Sequence, residues 1–191
     1  MGHRIPTLAC STMLLAAAAG AQQTPFTAGS WAAAINGFAT VDLRTSGPTA
    51  WGVDLGPQLS WFVINGLSLD ATGRGAWYGF GSGSKQVVAA GPGVSWYAFS
   101  LSRTVTPFVS TRVQFARYRE AFKSTAAVAS GTEWRTSGGV VIPMGPSNGL
   151  QIGAWYELSR FRFDQSHQAA RAPQGQTGLF VGVLHFMRKT D

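Results

Sequence analysis

Cysteine is almost absent from this 191-residue chain: there is one, Cys10. A single thiol closes no intrachain disulfide and builds no Cys-based metal site. Charge is scarce as well. Asp, Glu, Lys and Arg make up 12% against 45% hydrophobic residues, a balance that excludes an intrinsically disordered chain. No run of roughly 18 apolar residues occurs, so there is no candidate transmembrane helix. Histidine is limited to His3, His167 and His185. Glycine, by contrast, is plentiful at 24 residues, and each interior Gly costs a helix about 1 kcal/mol relative to Ala. A helical bundle is excluded on that ground.

Residues 1–21 read as a signal peptide. The chain opens with a short basic stretch holding Arg4, continues with an apolar segment from Leu8 to Ala19, and reaches Ala19-Gly20-Ala21, the small-x-small pattern a signal peptidase cuts. A short buried helix would not need that order. Cys10 leaves with the leader. A lipoprotein reading of Leu8-Ala9-Cys10 is weak, because most of the apolar run follows the cysteine. The expected organisation is a lead-in over 22–29, a barrel domain over 30–187 and a tail over 188–191.

From Trp31 onwards apolar residues recur at every second position, the period of a half-buried strand. Trp51, Val53, Leu55, Pro57, Leu59, Trp61 and Val63 share one face, with Asp54, Gln58 and Ser60 opposite. Leu67, Leu69, Ala71 and Trp77 oppose Ser68, Asp70, Thr72 and Arg74. Similar runs begin at Trp31, Val88, Val105, Trp134 and Leu150. In a last run Phe180, Gly182, Leu184 and Phe186 are set against Thr177 and His185, with Leu179, Val181 and Val183 blurring the pattern. Eight antiparallel strands follow. Asn65-Gly66, Ser100–Thr104 and Pro143–Gly149 are short links, whereas Thr45–Ala50, Gly79–Gln86, Arg119–Gly131 and Asp164–Gly175 are polar loops, two of them long. Short connections at one end and longer ones at the other describe an up-and-down meander. The fold expected is all-β, an eight-stranded antiparallel up-and-down transmembrane β-barrel preceded by a signal peptide.

Tryptophan decides between a membrane barrel and a soluble, lipocalin-like ligand-binding barrel whose apolar face turns inward. Trp51 and Trp61 lie on one face ten residues apart. At about 3.3 Å per residue and a tilt of about 40° they differ in height by roughly 25 Å, the apolar band of outer-membrane barrels. Trp31, Trp61, Trp96 and Phe186 fall at the short-turn level, and Trp51, Trp77 and Trp134 at the loop level. Two such girdles suit rings with an apolar body and a polar N–H. Asp54, Asp70, Arg74, Arg112, Glu133, Arg135 and Glu157, with Asp42 and Glu120, then face a lumen just wide enough for side chains to fill it. A plugged barrel is expected, with Pro57 and Pro92 as bulge positions and Pro107 and Pro143 near strand ends.

Gly56-Pro57-Gln58-Leu59-Ser60-Trp61-Phe62-Val63-Ile64-Asn65-Gly66-Leu67-Ser68-Leu69 resembles the second strand, turn and third strand of bacterial outer-membrane β-barrel domain proteins. Thr106-Pro107-Phe108-Val109 resembles their fifth strand and Gly178–Phe186 their last. The resemblance covers about residues 28–187 by pattern. It implies an architecture similar to OmpA and OmpX, a place in the outer membrane of a Gram-negative-type bacterium, and insertion by an assembly machinery that reads an aromatic-ended last strand. Phe186 would supply that aromatic, although five residues follow it.

Catalytic chemistry finds little support. A lipid A-modifying hydrolase, the principal alternative, needs an imidazole activating a hydroxyl on the lipid face. His167 falls in a long loop and His185 is expected to point inward, and neither has a hydroxyl two residues on. Gly79–Lys85 is glycine-rich without the GxxxxGK[ST] spacing and reads as a flexible loop. No catalytic residue, metal ligand or cofactor is assigned. The net charge of +7, one unit of which leaves with Arg4, comes without a basic helix or a nucleic-acid motif. Arg117, Arg119, Arg160 and Arg162 instead project from the outer face near the loop end, a patch placed to meet lipopolysaccharide headgroups. The expected protein is thus a non-enzymatic integral barrel in contact with outer-membrane lipid and lipopolysaccharide, with any ligand at the loops left open.

Overall fold

The computed structural model describes residues 26–42, 50–81, 83–98, 104–122, 125–163 and 174–187. Residues 1–21, expected as the leader, residues 43–49 and 164–173 with His167, and residues 188–191, expected as the tail, lie outside the described residues. Eight strands close on themselves in chain order: β1 (Trp31–Asp42), β2 (Ala50–Ile64), β3 (Leu67–Phe80), β4 (Gly83–Tyr97), β5 (Thr106–Phe122), β6 (Thr125–Pro143), β7 (Asn148–Phe163) and β8 (Gln174–Met187). Every pairing is antiparallel, and β1 meets β8 to complete the barrel. Asn65-Gly66 turns β2 into β3, with Gly66 at φ 80°, where a side chain would be strained.

Alternation sorts the two faces as expected for β1 to β7. Leu55, Leu59, Leu69, Val88, Val94, Val109, Val113 and Phe115 are exposed on the outside, and Asp54, Arg74, Gln114, Glu133 and Glu157 are buried within. An apolar exterior around a charged interior is the inverse of a soluble barrel, so the lipocalin-like reading does not fit. Thr111 and Thr136 interrupt the outer face. Their hydroxyls lie 3.3 Å apart, and the Trp134 indole donates to Thr111 Oγ1 at 2.7 Å, so both are satisfied before any lipid reaches them.

Strand lengths and one strand face need correction. β3 and β4 run to Phe80 and from Gly83, and β5 and β6 run to Phe122 and from Thr125. The segments Gly79–Gln86 and Arg119–Gly131, expected as loops, are therefore mostly ladder. In β8 the faces are reversed. Phe180, Leu184 and Phe186 are buried in the lumen, whereas Leu179, Val183, His185 and Met187 face outward. The cause is an aromatic layer inside the short-turn end. Phe26 from the lead-in stacks on Tyr97 at 4.7 Å and meets Phe62 and Phe186 edge-on, and Tyr97 continues to Phe108 and Phe108 to Phe180. With hydrocarbon outside and rings inside, both faces of β8 are apolar and period two carries no sign.

Pro57 and Pro92 are not bulges. Pro57 pairs with Ile35 and Pro92 with Ala71 in unbroken register. On the other side of each strand the ladder skips two residues and resumes in the same register. A proline N lacks its donor, so a rung is lost with no residue inserted. The register of the β2–β3 ladder shifts between Phe62 and Ile64, beside the turn.

Replacing Phe186 by Ala is expected to cost about 3–5 kcal/mol in urea unfolding of the refolded barrel, the range for emptying a packed aromatic site. Met187→Ala, on the outer face, should stay within about 1 kcal/mol. Equal small losses would contradict the inward ring.

Candidate functional site: the lumen cluster and the outer rim

Four strands bring their charges to one point in the lumen. Arg74 on β3 donates from Nε to Asp54 Oδ2 on β2 at 2.7 Å, and from Nη1 to Glu133 Oε1 on β6 at 2.9 Å and Glu157 Oε2 on β7 at 3.0 Å. Arg135 on β6 donates from Nε to the same Glu157 oxygen at 2.8 Å, and its Nη2 makes a second, very short contact there. Arg135 Nη2 also lies 3.6 Å from Asp54. All five side chains are at most 5% exposed. Burying ions is expensive, and it is offset only when each is paired and its remaining hydrogen-bonding capacity is used. Here three carboxylates share two guanidiniums. Among the described residues no group of three or more His, Cys, Asp or Glu is disposed to hold a metal ion.

Two residues assigned to this network stand apart from it. Asp70 accepts from Ser68 and Ser95 hydroxyls and makes no ion pair among the described residues. It sits four residues along β3 from Arg74, roughly 13 Å at 3.3 Å per residue, beyond contact. Arg112 faces the lumen but makes no ion pair among the described residues, because Arg74 and Arg135 occupy the nearby carboxylates. Its guanidinium lines a small chamber between the cluster and the aromatic layer. The side chain of Asp42 lies outside the description.

Other interior residues escaped the sequence reading. Trp155, the one tryptophan left out of both girdles, points inward and lies under Arg135, whose guanidinium sits 4.4 Å from the ring centre. Its odd number on β7, shared with Glu157, was the available signal. Nearer the loop end Lys85 lies 5.5 Å from the Tyr78 ring and 5.0 Å from the Tyr118 ring. The Tyr118 hydroxyl donates to Glu120 at 2.7 Å. The glycine-rich stretch read as a flexible loop thus contributes an inward lysine from β4.

On the outside, Trp31, Trp61 and Trp96 mark the short-turn level and Trp51, Trp77 and Trp134 the loop level, each between 42% and 53% exposed. Trp31 and Trp61 are register partners and stack at 6.1 Å. Phe186 does not belong to this girdle. His185, expected inside, faces outward at the short-turn end with Nδ1 2.8 Å from Asn148 Oδ1, its register partner on β7. At the opposite end Arg117, Arg119 and Arg160 are exposed. Arg117 and Arg162 are the two register partners of Ser130, and Arg160 pairs with Thr132. Arg162 is placed by register alone.

Replacing Arg74 by Met leaves Asp54, Glu133 and Glu157 with Arg135 as the remaining cluster cation. The expected loss is about 3–5 kcal/mol in denaturant unfolding, the cost of stranding a buried charge. Adding Glu133→Gln to Arg74→Met should recover part of it. A loss below about 1 kcal/mol for the single variant would show that water, not Arg74, neutralises the cluster.

No protein-family model and no curated protein sequence matches the chain. Solved structures do. The chain is similar to Neisserial surface protein A, at 15% identity and TM-score 0.59 over 83% of this chain and 97% of that one. It is similar to the outer membrane protein OprG from Pseudomonas aeruginosa, at 10% identity and TM-score 0.57 over 87% and 100%. The N-terminal β-barrel domain of OprF from Pseudomonas aeruginosa matches at 9% identity and TM-score 0.53 over 84% and 98%. The fold is therefore the eight-stranded closed barrel of bacterial outer-membrane proteins, as the sequence resemblance implied.

Proposed function

We propose that this chain is a small integral outer-membrane protein without enzymatic activity, its lumen filled by side chains and its outer rim in contact with lipopolysaccharide. The filled lumen is supported by two stacked layers. The Arg74 cluster spans the interior from β2 to β7, and the linked rings of Phe26, Phe62, Tyr97, Phe108, Phe180 and Phe186 occupy the short-turn end. Lipid contact is supported by the exposed apolar belt between two tryptophan levels. Insertion would pass through an assembly machinery that reads the last strand, where Phe186 precedes the terminal Met187 of β8.

The observation that carries the lipopolysaccharide reading is register. Arg117 and Arg162 flank Ser130 across three adjacent strands, so their backbones are about 10 Å apart at the usual strand spacing. Arg160 and Arg119 lie two residues along the same strands on the same face. Small Ser130 and Thr132 separate the arginines and leave room for anionic groups between them. Guanidinium forks suit phosphate, and at the outer-leaflet level the available phosphates are those of lipopolysaccharide headgroups.

A lipid A-modifying hydrolase fits less well. His185 does face lipid, but at the short-turn level that Trp31, Trp61 and Trp96 mark. That is the level opposite the arginine rim, and its hydrogen-bond partner is an asparagine rather than a hydroxyl.

Replacing Arg117, Arg119, Arg160 and Arg162 together by Gln should reduce lipopolysaccharide co-purifying with the folded barrel by at least about half, since each lost guanidinium removes charge-assisted bonds. Heat-modifiable migration should persist. Undiminished co-purification from a folded variant would remove the rim assignment while leaving the barrel intact.

A further inference from the structure

The wall is not paired along its whole height. The β1–β8 ladder runs from Trp31↔Met187 to Gly37↔Val181 and stops. β1 continues to Asp42 on its β2 side, and β8 begins at Gln174 on its β7 side. Among the described residues, 38–42 and 174–180 thus have no backbone pairing with each other, and the seam forks in its loop-side half. Gly37 pairs with Leu55 and Val41 with Trp51, so the fork opens about 10 Å below the loop-level tryptophan. That depth is hydrocarbon. Free N–H and C=O groups are heavily penalised there, and non-helical backbone survives at membrane depth only against protein or a water-filled cavity.

A cavity adjoins the foot of the fork, where Phe38 and Phe180 line it. A chamber of about 30 Å³ is lined by Asn36, Phe38, Arg112, Gln151, Trp155 and Phe180 among others. Trp155 Nε1, Gln151 Oε1 and Asn36 Oδ1 are buried with no hydrogen-bond partner, although Trp155 is 7% and Gln151 2% exposed. Arg112 brings further donors with no ion pair among the described residues. A void of this size with donors and acceptors on several sides suits a water molecule, and buried polar atoms are rarely left unsatisfied. Phe38, the first β1 residue beyond the last rung, lines the chamber and sets its ring 5.6 Å from that of Trp155.

We infer that the β1–β8 fork and the chamber at its foot form one lateral water-binding site in the bilayer-facing wall, closed by the Phe38 ring. Water satisfies the strand edges from the lumen side and is held by Arg112, Trp155, Gln151 and Asn36. The site lets water reach the chamber sideways, between the Arg74 cluster and the aromatic layer.

Hydrogen exchange on the unmodified barrel in lipid nanodiscs tests this directly. Amides of 38–42 and 174–180 that point away from β2 and β7 should exchange at least tenfold faster than those of Val109–Val113, and the Trp155 indole proton should exchange with them. Equal protection of these amides, or a protected indole, overturns the proposal. Paired cysteines give a second reading on a Cys10→Ser background. Ile35→Cys with Val183→Cys, a register pair, should cross-link under mild oxidation. Ala39→Cys with Leu179→Cys, the next pair of the same type if the ladder continued, should do so at least tenfold less. Equal yields in the heat-modifiable band would show a closed seam.

Discussion

Arg74 draws carboxylates from β2, β6 and β7 to a single guanidinium, and the orientation of half the barrel follows from it. Side chains alternate along a strand, so Asp54 pointing inward obliges Val53 and Leu55 to point outward, and Glu133 does the same to Trp134. An ionised group on the opposite face would meet hydrocarbon, at about 2–4 kcal/mol for an arginine at mid-depth. Inside, the same group meets counter-ions within hydrogen-bonding distance because an eight-stranded lumen leaves little room between its walls. Charge pairing and lipid exclusion therefore select the same parity in four strands at once.

Parity was legible wherever the two faces differ in kind. β2, β3 and β5 carry charge or hydroxyls on one side and Leu, Val, Trp or Phe on the other, and their faces follow directly from the sequence. β8 carries Phe180, Leu184 and Phe186 on one side and Leu179, Val183 and Met187 on the other. No hydropathy contrast separates them, and the choice is made by ring packing against Phe26, Tyr97 and Phe108, contacts that join residues far apart in the chain. Trp155 illustrates the converse. Its position on β7 is odd like that of Glu157, but an aromatic residue in a membrane strand suggests lipid until Arg135 is seen above its ring.

The charged residues were recognisable as interior, but their partners were not, since partnership depends on height as well as face. Asp70 and Arg74 share a face of β3 yet lie too far apart to join one cluster, and serine hydroxyls serve Asp70 instead. Arg112 shares the lumen with three carboxylates already engaged by other guanidiniums. The prolines teach the same lesson about the wall. A missing N–H was visible in sequence, but whether the sheet answers with an extra residue or an empty rung depends on the neighbouring strand, and here the neighbours keep register.

Interior polarity and wall pairing change at the same level. From Trp31 to Gly37 the β1–β8 ladder is complete and the lumen beside it holds Phe26, Leu184 and Phe186. At Phe38, which pairs with Asp54, the ladder ends, and the interior passes from the Phe38, Trp155 and Phe180 end of the apolar cluster to the Arg74 charges. Gly182 marks the approach to this boundary: a Cβ there would strike Asn36 Oδ1, so the bare backbone lets the amide cross towards the lumen. The coincidence has a physical basis. An apolar interior offers nothing to a free carbonyl, so the wall beside it must be fully hydrogen-bonded. A polar interior can solvate an open edge from within, so the wall beside it need not be.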